Sequence, residues 1–523
     1  MHGTSHHRHV NPWLIAMVVM LATFMEVLDT SVANVALPHI AGNLSATVDE
    51  TTWVLTSYLV ANAVVLPLGG YLSALFGRKR FYMTCVALFT LSSMLCGLAP
   101  SLPWLIAFRI MQGLGGGALQ PTSQAILVET FPPHKRGAAM ALYGMGVVFA
   151  PIIGPVLGGW ITDNFSWHWI FLINIPVGML SLALTYRMVF DPPTLKRVSI
   201  KDGFQVDYLG IGILTLGLSA LEIVLDEGQR KDWFASGLIV ACAVIAVVCL
   251  VGVVFYLLKK DHPIIDLRLL KDRNFAMATL MLFVLGFVLY GSLALLPIFL
   301  QTLLGYTASL SGWVLSPGGV VVLSMMPVVA LLLRHYDTRY LIAAGFLFVG
   351  LGLVWMARFN LDVDFNTAML ARMVQSFGFA FLFVPMNVTA FHDIPHEKSG
   401  YASGMLNLVR NIGGSAGIAL ATTLLARRAQ VHQANLVANL HPSSIQYQSF
   451  LARAGQLLTA KGATAPDAAR QAQGLAYGTL LRHSTMMAFA DTFYVMAVLC
   501  LALVPLVFLM RSTHAGKGPL PAE

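Results

Sequence analysis

Residues 109–115 read Arg109-Ile110-Met111-Gln112-Gly113-Leu114-Gly115, and residues 372–378 read Arg372-Met373-Val374-Gln375-Ser376-Phe377-Gly378. From 109 to 372 is an offset of 263, and the same offset carries Pro132 onto Pro395, Lys135 onto Lys398, Gly137 onto Gly400 and Gly154 onto Gly417. Shared hydrophobicity alone does not put Arg, Gln, Pro, Lys and Gly in one register. The chain is therefore read as an internal repeat, two similar halves joined by intervening sequence.

The composition says what those halves are made of. Of 523 residues, 57% are hydrophobic and 11% charged, whereas soluble domains average about 25% charged. That is too little charge to cover the surfaces of the two or three soluble domains such a length would form. Disordered, collagen-like and disulfide-rich classes find no support either, and the reading is an all-α integral membrane protein. The net charge of +8 sits between apolar runs, so it is read as a topology signal in a lipid bilayer and not as a nucleic-acid surface. Cys85, Cys96, Cys242, Cys249 and Cys500 all fall in apolar segments without CxxC spacing, which indicates neither zinc nor disulfides. No small-residue cleavage site follows the first residues, so the first apolar run is a retained span. The four histidines before it, His2, His6, His7 and His9, are read as a cytoplasmic tail, with metal binding the alternative.

Stretches of about 20 apolar residues, enough to span a bilayer, recur fourteen times, the first over 12–37 and the last over 485–511. An even number puts both termini on one side. On that side the loops carry Arg78, Lys79, Arg80, Lys135, Arg136, Lys259, Lys260, Lys271 and Arg273; the short loops opposite carry Arg230, Lys231 and the borderline Arg358. The asymmetry places both termini in the cytoplasm. With the repeat, the expected organisation is six spans over 12–189, two extra spans over 207–258 and six spans over 274–511. The last block includes a long outer segment, 426–484. Two six-span halves related by an axis along the membrane normal are a transporter architecture, in which similar bundles rock about a central site.

Four motifs now carry a resemblance. Leu28-Asp29-Thr30-Ser31-Val32-Ala33-Asn34-Val35-Ala36-Leu37-Pro38 resembles the first-span signature of fourteen-span drug:proton antiporters. Gly70 to Arg80, ending Gly77-Arg78-Lys79-Arg80, resembles the loop motif between spans 2 and 3 of the major facilitator superfamily. Arg109 with Gln112 and Gly113 resembles its span-4 motif, and Gly146 to Gly159, with Pro151, Gly154, Pro155 and Gly158, its span-5 antiporter motif. Over nearly its whole length the chain is similar to the EmrB/QacA branch of that superfamily. The resemblance implies a proton-coupled inner-membrane exporter of hydrophobic or amphipathic compounds. It also implies the pump of a three-part system, with a periplasmic adaptor and an outer-membrane channel as partners and no cofactor beyond the proton gradient. One departure is Ala74, where the loop motif usually has an acid, so a gating ion pair built there must be absent or replaced. The basic tail, Arg78 and Arg80 after Gly77, remains a candidate for gating as well as topology.

Other motifs fail their context. Gly113 to Ala118 fits a dinucleotide fingerprint but lies in a span and follows no strand. His396-Glu397 begins like a zinc-protease helix without its second histidine, and no phosphate-binding loop is present. An ion gradient is the remaining energy source. The span-5 pattern reads independently: Gly154 and Gly158 share a face that admits a close neighbour, and Pro151 and Pro155 bend the helix. It is expected to sit at the interface of the two moving halves.

Ionisable groups inside a span cost on the order of 3 kcal/mol each, so they are functional candidates by default. They are Glu26, Asp29, Arg109, Glu222, Arg372 and Arg410. Glu26 and Asp29 share a helix face. Counted at 1.5 Å per residue from opposite membrane faces, Asp29 and Arg109 both reach the outer half and can meet. Either Glu26 or Asp29 is expected to carry the coupling proton, burial and the Arg109 cation pulling its proton affinity in opposite directions; the resemblance points to Asp29. A static Asp29–Arg109 pair is the alternative. Glu222, in an extra span, fits packing as well as proton work. Arg372 fits either a structural role or contact with a substrate anion.

A pocket between the halves should be largely apolar with a few polar groups. Asn34, Gln112, Gln120, Gln124, Gln375, Asn387 and Asn407 are the candidates, on spans that usually face that cavity in the superfamily. The outer segment 426–484 has few breakers over 444–459 and 466–482, which predicts short amphipathic helices and a candidate docking surface for the adaptor. A dedicated exporter of one metabolite (a fatty acid, siderophore or peptide) and a non-transporting sensor are the competing readings. A membrane enzyme lacks a nucleophile elbow or complete metal motif.

Overall fold

The computed structural model describes residues 11–191, 207–260 and 263–512, and among them every regular element is a helix. The histidine-rich tail before Asn11 lies outside them. In the first half of the chain α1 spans Pro12–Asn43, α2 Val48–Thr51, α3 Trp53–Phe76, α4 Arg78–Gly97, α5 Leu102–Gly116, α6 Leu119–Thr130, α7 Pro133–Asn164, α8 Trp169–Leu172 and α9 Asn174–Met188. Two helices follow, α10 Tyr208–Glu227 and α11 Gly237–Lys259. Then come α12 Arg273–Thr302, α13 Ala308–Leu332, α14 Thr338–Met356, α15 Phe365–Ala390, α16 Ser399–Val437, α17 Ile445–Ala460 and α18 Ala465–Val507.

Among the described residues, 12 helices are long and apolar enough to cross a membrane, and α7, bent by 44° at Pro151, makes a thirteenth. The fourth predicted span, 104–128, is not one helix: it breaks into α5 and α6 at Gly117–Ala118. Glycine is the cause. A Cβ on Gly113 or Gly117 would strike the α3 backbone at Tyr58 or Asn62, and one on Gly115 would strike α4 at Phe89. The glycines let α5 press into its neighbours, at a cost of about 1 kcal/mol of helix propensity apiece.

Helices α1 to α9 pack mainly among themselves, α1 on α7 and α9, α4 on α5 and α9; α12 to α18 do the same, α12 on α16, α14 on α15 and α18. The two groups meet along two seams, α7 against α13 and α3 against α16. Gly70 and Gly400 make the second seam tight, since a Cβ on Gly70 would fall 2.6 Å from the Gly400 carbonyl carbon. α11 stands apart: with a mean hydropathy of 3.3 and 17% of its apolar window buried, it turns its Val, Leu and Phe side chains outward, as a lipid-facing helix does.

Both described chain ends lie at one face. Trp13 stacks edge-on against Phe131, Glu129 pairs with Arg78 and accepts from Ser399, and the Arg511 N–H donates to Asn274. At the opposite face α16 and α18 run on past the membrane. Their 39 and 43 residues make helices of roughly 58 and 64 Å, about twice the ~30 Å hydrocarbon core. Arg428 and His432 of α16 both bind Asp491 of α18, at 2.6 and 2.7 Å, and α17 packs back on α18. The helix expected over 444–459 is present as α17; the one expected over 466–482 is the continuous start of α18, because between Pro466 in its first turn and Pro505 no proline interrupts the chain.

Candidate functional site

The centre of the molecule holds two linked polar clusters, both starting on α1. Glu26 and Asp29 are buried on one face of that helix. Asp29 accepts from Arg109 Nη1 at 2.6 Å, from Gln112 Nε2 at 3.0 Å and from Asn174 Nδ2 at 2.7 Å. Arg109 also donates to Gln112 Oε1 and to the Val54 carbonyl, and its guanidinium carbon lies 4.3 Å from the Tyr58 ring centroid. Every partner of Asp29 thus sits on α5 or α9, in its own helix group.

Glu26 is wired differently. It accepts from Tyr58 Oη and Asn62 Nδ2, both at 3.0 Å, and from Gln120 Nε2 at 2.7 Å. Gly116 leaves the room: a Cβ there would lie 2.7 Å from Tyr58 Oη and 3.3 Å from Glu26 Cγ. The oxygen of the same Gln120 amide accepts from Arg410 Nη2 on α16. Arginine has donors only, so the Gln120 amide has one possible orientation between a carboxylate and a guanidinium. A carboxylate of the first helix group is thereby one amide away from a cation of the second.

Beside this bridge, Gln124 Oε1 accepts from Asn407 Nδ2 at 2.7 Å and from Ser403 Oγ at 3.0 Å, and Gln124 Nε2 donates to Asn387 Oδ1 at 3.3 Å. Gln124 and Asn387 are equivalents under the 263 offset, so this bond crosses the pseudo-symmetry axis. The Tyr143 and Phe383 rings stack alongside, centroids 6.2 Å apart.

The predicted polar residues therefore divide. Gln120, Gln124, Asn387 and Asn407 come together where the two helix groups meet. Gln112 and Gln375 do not join them: each binds the arginine three residues before it, inside its own group. Asn34 is exposed on α1. Span 5, as α7, does lie on the seam with α13, but the glycines expected to make that contact do not face it. Gly154 and Gly158 face Ser31 and Val32 of α1, not the other helix group, and Ser31 Oγ donates to the Pro151 carbonyl at 3.1 Å. Gly154 and Gly158 serve the contact of α7 with α1, and Pro155 lies in the same stretch; α7 meets the other helix group through Gly144, against Phe383 and Met326, and through Val156, opposite Gly312.

At the face of the chain ends, Gly77 has φ +86°, a left-handed turn that lets α4 follow α3 directly. Arg78 is buried and pairs with Glu129 at 2.6 Å; Glu129 accepts from Ser399 Oγ of the other helix group at 2.8 Å. Glu129 and Asp191, which accepts from the Lys79 N–H at 2.8 Å, are the acids that hold the basic motif, and Arg80 is exposed. Glu222 accepts from Ser415 on α16, and Asp226 from Thr56 on α3, so α10 contacts both groups near the opposite face.

Sequence reasoning missed Tyr58, Asn62, Asn174 and Glu129. Asn62 and Asn174 carried a signal, being isolated amides within apolar stretches.

A family model described as Major Facilitator Superfamily matches residues 19–418. The chain belongs to the major facilitator superfamily. It is 36% identical over 500 residues to the fatty acid resistance protein FarB of Neisseria gonorrhoeae, covering 95% of this chain and 96% of the relative. It is 37% identical over 438 residues to the multidrug export protein EmrB of Haemophilus influenzae, covering 84% and 85%. The solved structure of a proton:xylose symporter, XylE, superposes with a TM-score of 0.61 at 16% identity, covering 96% of this chain and 97% of that one, a likeness of fold. The chain is an EmrB-like, multi-pass transporter of the bacterial inner membrane and not an enzyme.

Proposed function

We propose that this transporter is a proton-driven antiporter that exports hydrophobic or amphipathic drugs and toxic compounds, and that it is the pump of a three-part efflux system. The observation that carries the reading is the α1 carboxylate pair, one member of which reaches Arg410 of the other helix group through Gln120. The proposed topology has fourteen spans, with α5 and α6 together forming the fourth and both termini cytoplasmic. The blocks 12–189, 207–258 and 274–511 are its two bundles and the extra pair.

The chemistry of the bridge supplies the coupling. Ionised Glu26 takes the Gln120 N–H, leaving the amide oxygen for Arg410. Protonated Glu26 donates through one oxygen, which the Tyr58 hydroxyl 3.0 Å away can accept, and its other oxygen, now uncharged, is a weaker acceptor for Gln120 Nε2. Turning the amide would aim its NH2 at Arg410, which has no acceptor. One proton at Glu26 thus removes the negative charge that Gln120 links to Arg410, weakens the contact between the two helix groups and favours their rearrangement. Glu26 is assigned as the exchanging acid and Asp29 as the counter-charge that holds Arg109, fixing α1 against α5 and α9. Glu222 is assigned to holding α10 across the seam. Gln124, Asn387 and Asn407 are the proposed polar lining of the substrate site, with Tyr143 and Phe383 as walls. The projecting ends of α16 and α18, with α17, are the proposed docking surface for a periplasmic adaptor.

Reconstitution into vesicles with an imposed proton gradient and a fluorescent amphiphile tests the reading. Accumulation against the amphiphile gradient, abolished by a protonophore, is expected; accumulation indifferent to the protonophore would overturn proton coupling. The likeness to a fatty acid resistance protein favours a second reading, a dedicated exporter of fatty-acid-like compounds. A panel of cationic, neutral and carboxylate amphiphiles separates the two.

A further inference from the structure

The repeat places Arg372 where the first half has Arg109, and Ser292 where it has Asp29. Arg372 has no accessible surface, and its Nη1 donates to Ser292 Oγ at 3.2 Å and to Gln375 Oε1. Its Nε and Nη2 have no acceptor, nor do Gln375 Nε2 and Ser376 Oγ, each a buried donor without a partner. In the first half the corresponding Gln112 Nε2 donates to Asp29 and Arg109 Nε to the Val54 carbonyl, and of these two side chains' donors Arg109 Nη2 alone is unmet. Among the described residues the hydrogen-bond partners of Arg372 are Ser292 and Gln375, neither of them a carboxylate.

A buried guanidinium without a counter-charge is costly, and unmet buried donors add to that cost. The second half keeps the donors of the Arg109 site and lacks the carboxylate they surround. We propose that an external monovalent anion takes the place of that carboxylate: the Arg372, Gln375, Ser376 and Ser292 cluster is an anion-binding site. Arg372 lies seven residues into α15, roughly 10 Å from the helix start, which gives the ligand a short route from the face opposite the chain ends. Ser376 also abuts Gly318 of α13, and α13 packs across the seam on α7, so movement between the helix groups gives access. The anion is either a small inorganic ion or the carboxylate head of an amphiphile whose tail lies among the apolar helices.

The test is thermal unfolding of the purified full-length protein in nanodiscs, so it is read independently of proton coupling. A low-salt zwitterionic buffer is the reference, chloride and decanoate are each titrated into it, and decanol is the uncharged control. Saturable stabilisation of wild type, a rise of about 2–4 °C, is expected from chloride or from decanoate but not decanol. Chloride alone identifies an inorganic ion; decanoate alone identifies a carboxylate head. Ser292→Asp supplies an internal carboxylate: its unfolding temperature in the reference buffer should match wild type with anion, and further anion should add nothing. Arg372→Gln should likewise lose the response. Absence of any saturable anion effect in wild type would overturn the proposal, as would an undiminished effect in either folded variant.

Discussion

Arg109 and Arg372 sit at equivalent points of the repeat, and each binds the glutamine one turn further on. Their surroundings differ most in the group that faces the guanidinium. Asp29 completes the first site with a carboxylate that accepts three donors; Ser292 offers the second only a hydroxyl. The same offset sets Leu289 opposite Glu26 and Phe383 opposite Gln120. One half has therefore kept carboxylates and amides where the other has apolar side chains and an uncompensated cation. Duplicated scaffolds keep the groups that pack and position, and diverge in the group that takes the ligand. In the proposed scheme the first half handles the proton and the second half supplies the positive charges, Arg372 and Arg410.

The most damaging way to break this asymmetry is to make the two sites alike by removing Asp29. Asp29→Ala leaves Arg109 buried without its partner, which costs about 3–5 kcal/mol. The expected outcome is a sharp fall in folded protein, measured by size-exclusion yield and unfolding temperature. Arg109→Met in the same chain should restore most of the yield, and failure to do so would show that Asp29 is not needed for charge balance. Gly158→Leu comes next, because its side chain would collide with Val32 of α1, and overpacking costs about 1–3 kcal/mol. The defect should appear in stability as well as in export, since the contact lies within one helix group; normal stability with export lost would return these glycines to a gating role. Gln120→Leu cuts the bridge between Glu26 and Arg410 and strands two buried groups, a loss of about 1–3 kcal/mol. Transport should become less sensitive to the proton gradient, and unaltered sensitivity would detach Arg410 from the coupling. The smallest effect belongs to Gly77→Ala, whose φ of +86° makes a Cβ cost about 1 kcal/mol. A small drop in unfolding temperature with intact coupling is expected.

Much of this was legible in the chain. Apolar run length located the spans, and the Arg-x-x-Gln repeat disclosed two related helix groups before any packing was known. Depth arithmetic alone brought Asp29 and Arg109 together, because helix rise is constant and the two spans enter from opposite faces. What sequence does not carry is azimuth. Gly154 and Gly158 announce a close neighbour without saying which, and the neighbour is α1. Gln112 and Gln124 look alike in sequence, yet one turns into its own bundle and the other toward the second. Tyr58 and Asn62 escaped notice because single polar residues in an apolar run show no period. Glu129 reaches Arg78 from a different helix, a pairing that only the packing of α6 against the α3–α4 turn reveals.

The central claim is that Glu26 exchanges the coupling proton and that the second helix group senses this through Gln120. Its most direct test compares wild type with Glu26→Gln in vesicles carrying an imposed proton gradient and a fluorescent amphiphile. Glutamine keeps the size and an acceptor oxygen but cannot take up or release a proton. Wild type should accumulate the amphiphile uphill and lose that ability with a protonophore, while Glu26→Gln should equilibrate it downhill at a rate the protonophore does not change. Uphill, protonophore-sensitive accumulation by Glu26→Gln would contradict the account and move the proton to Asp29.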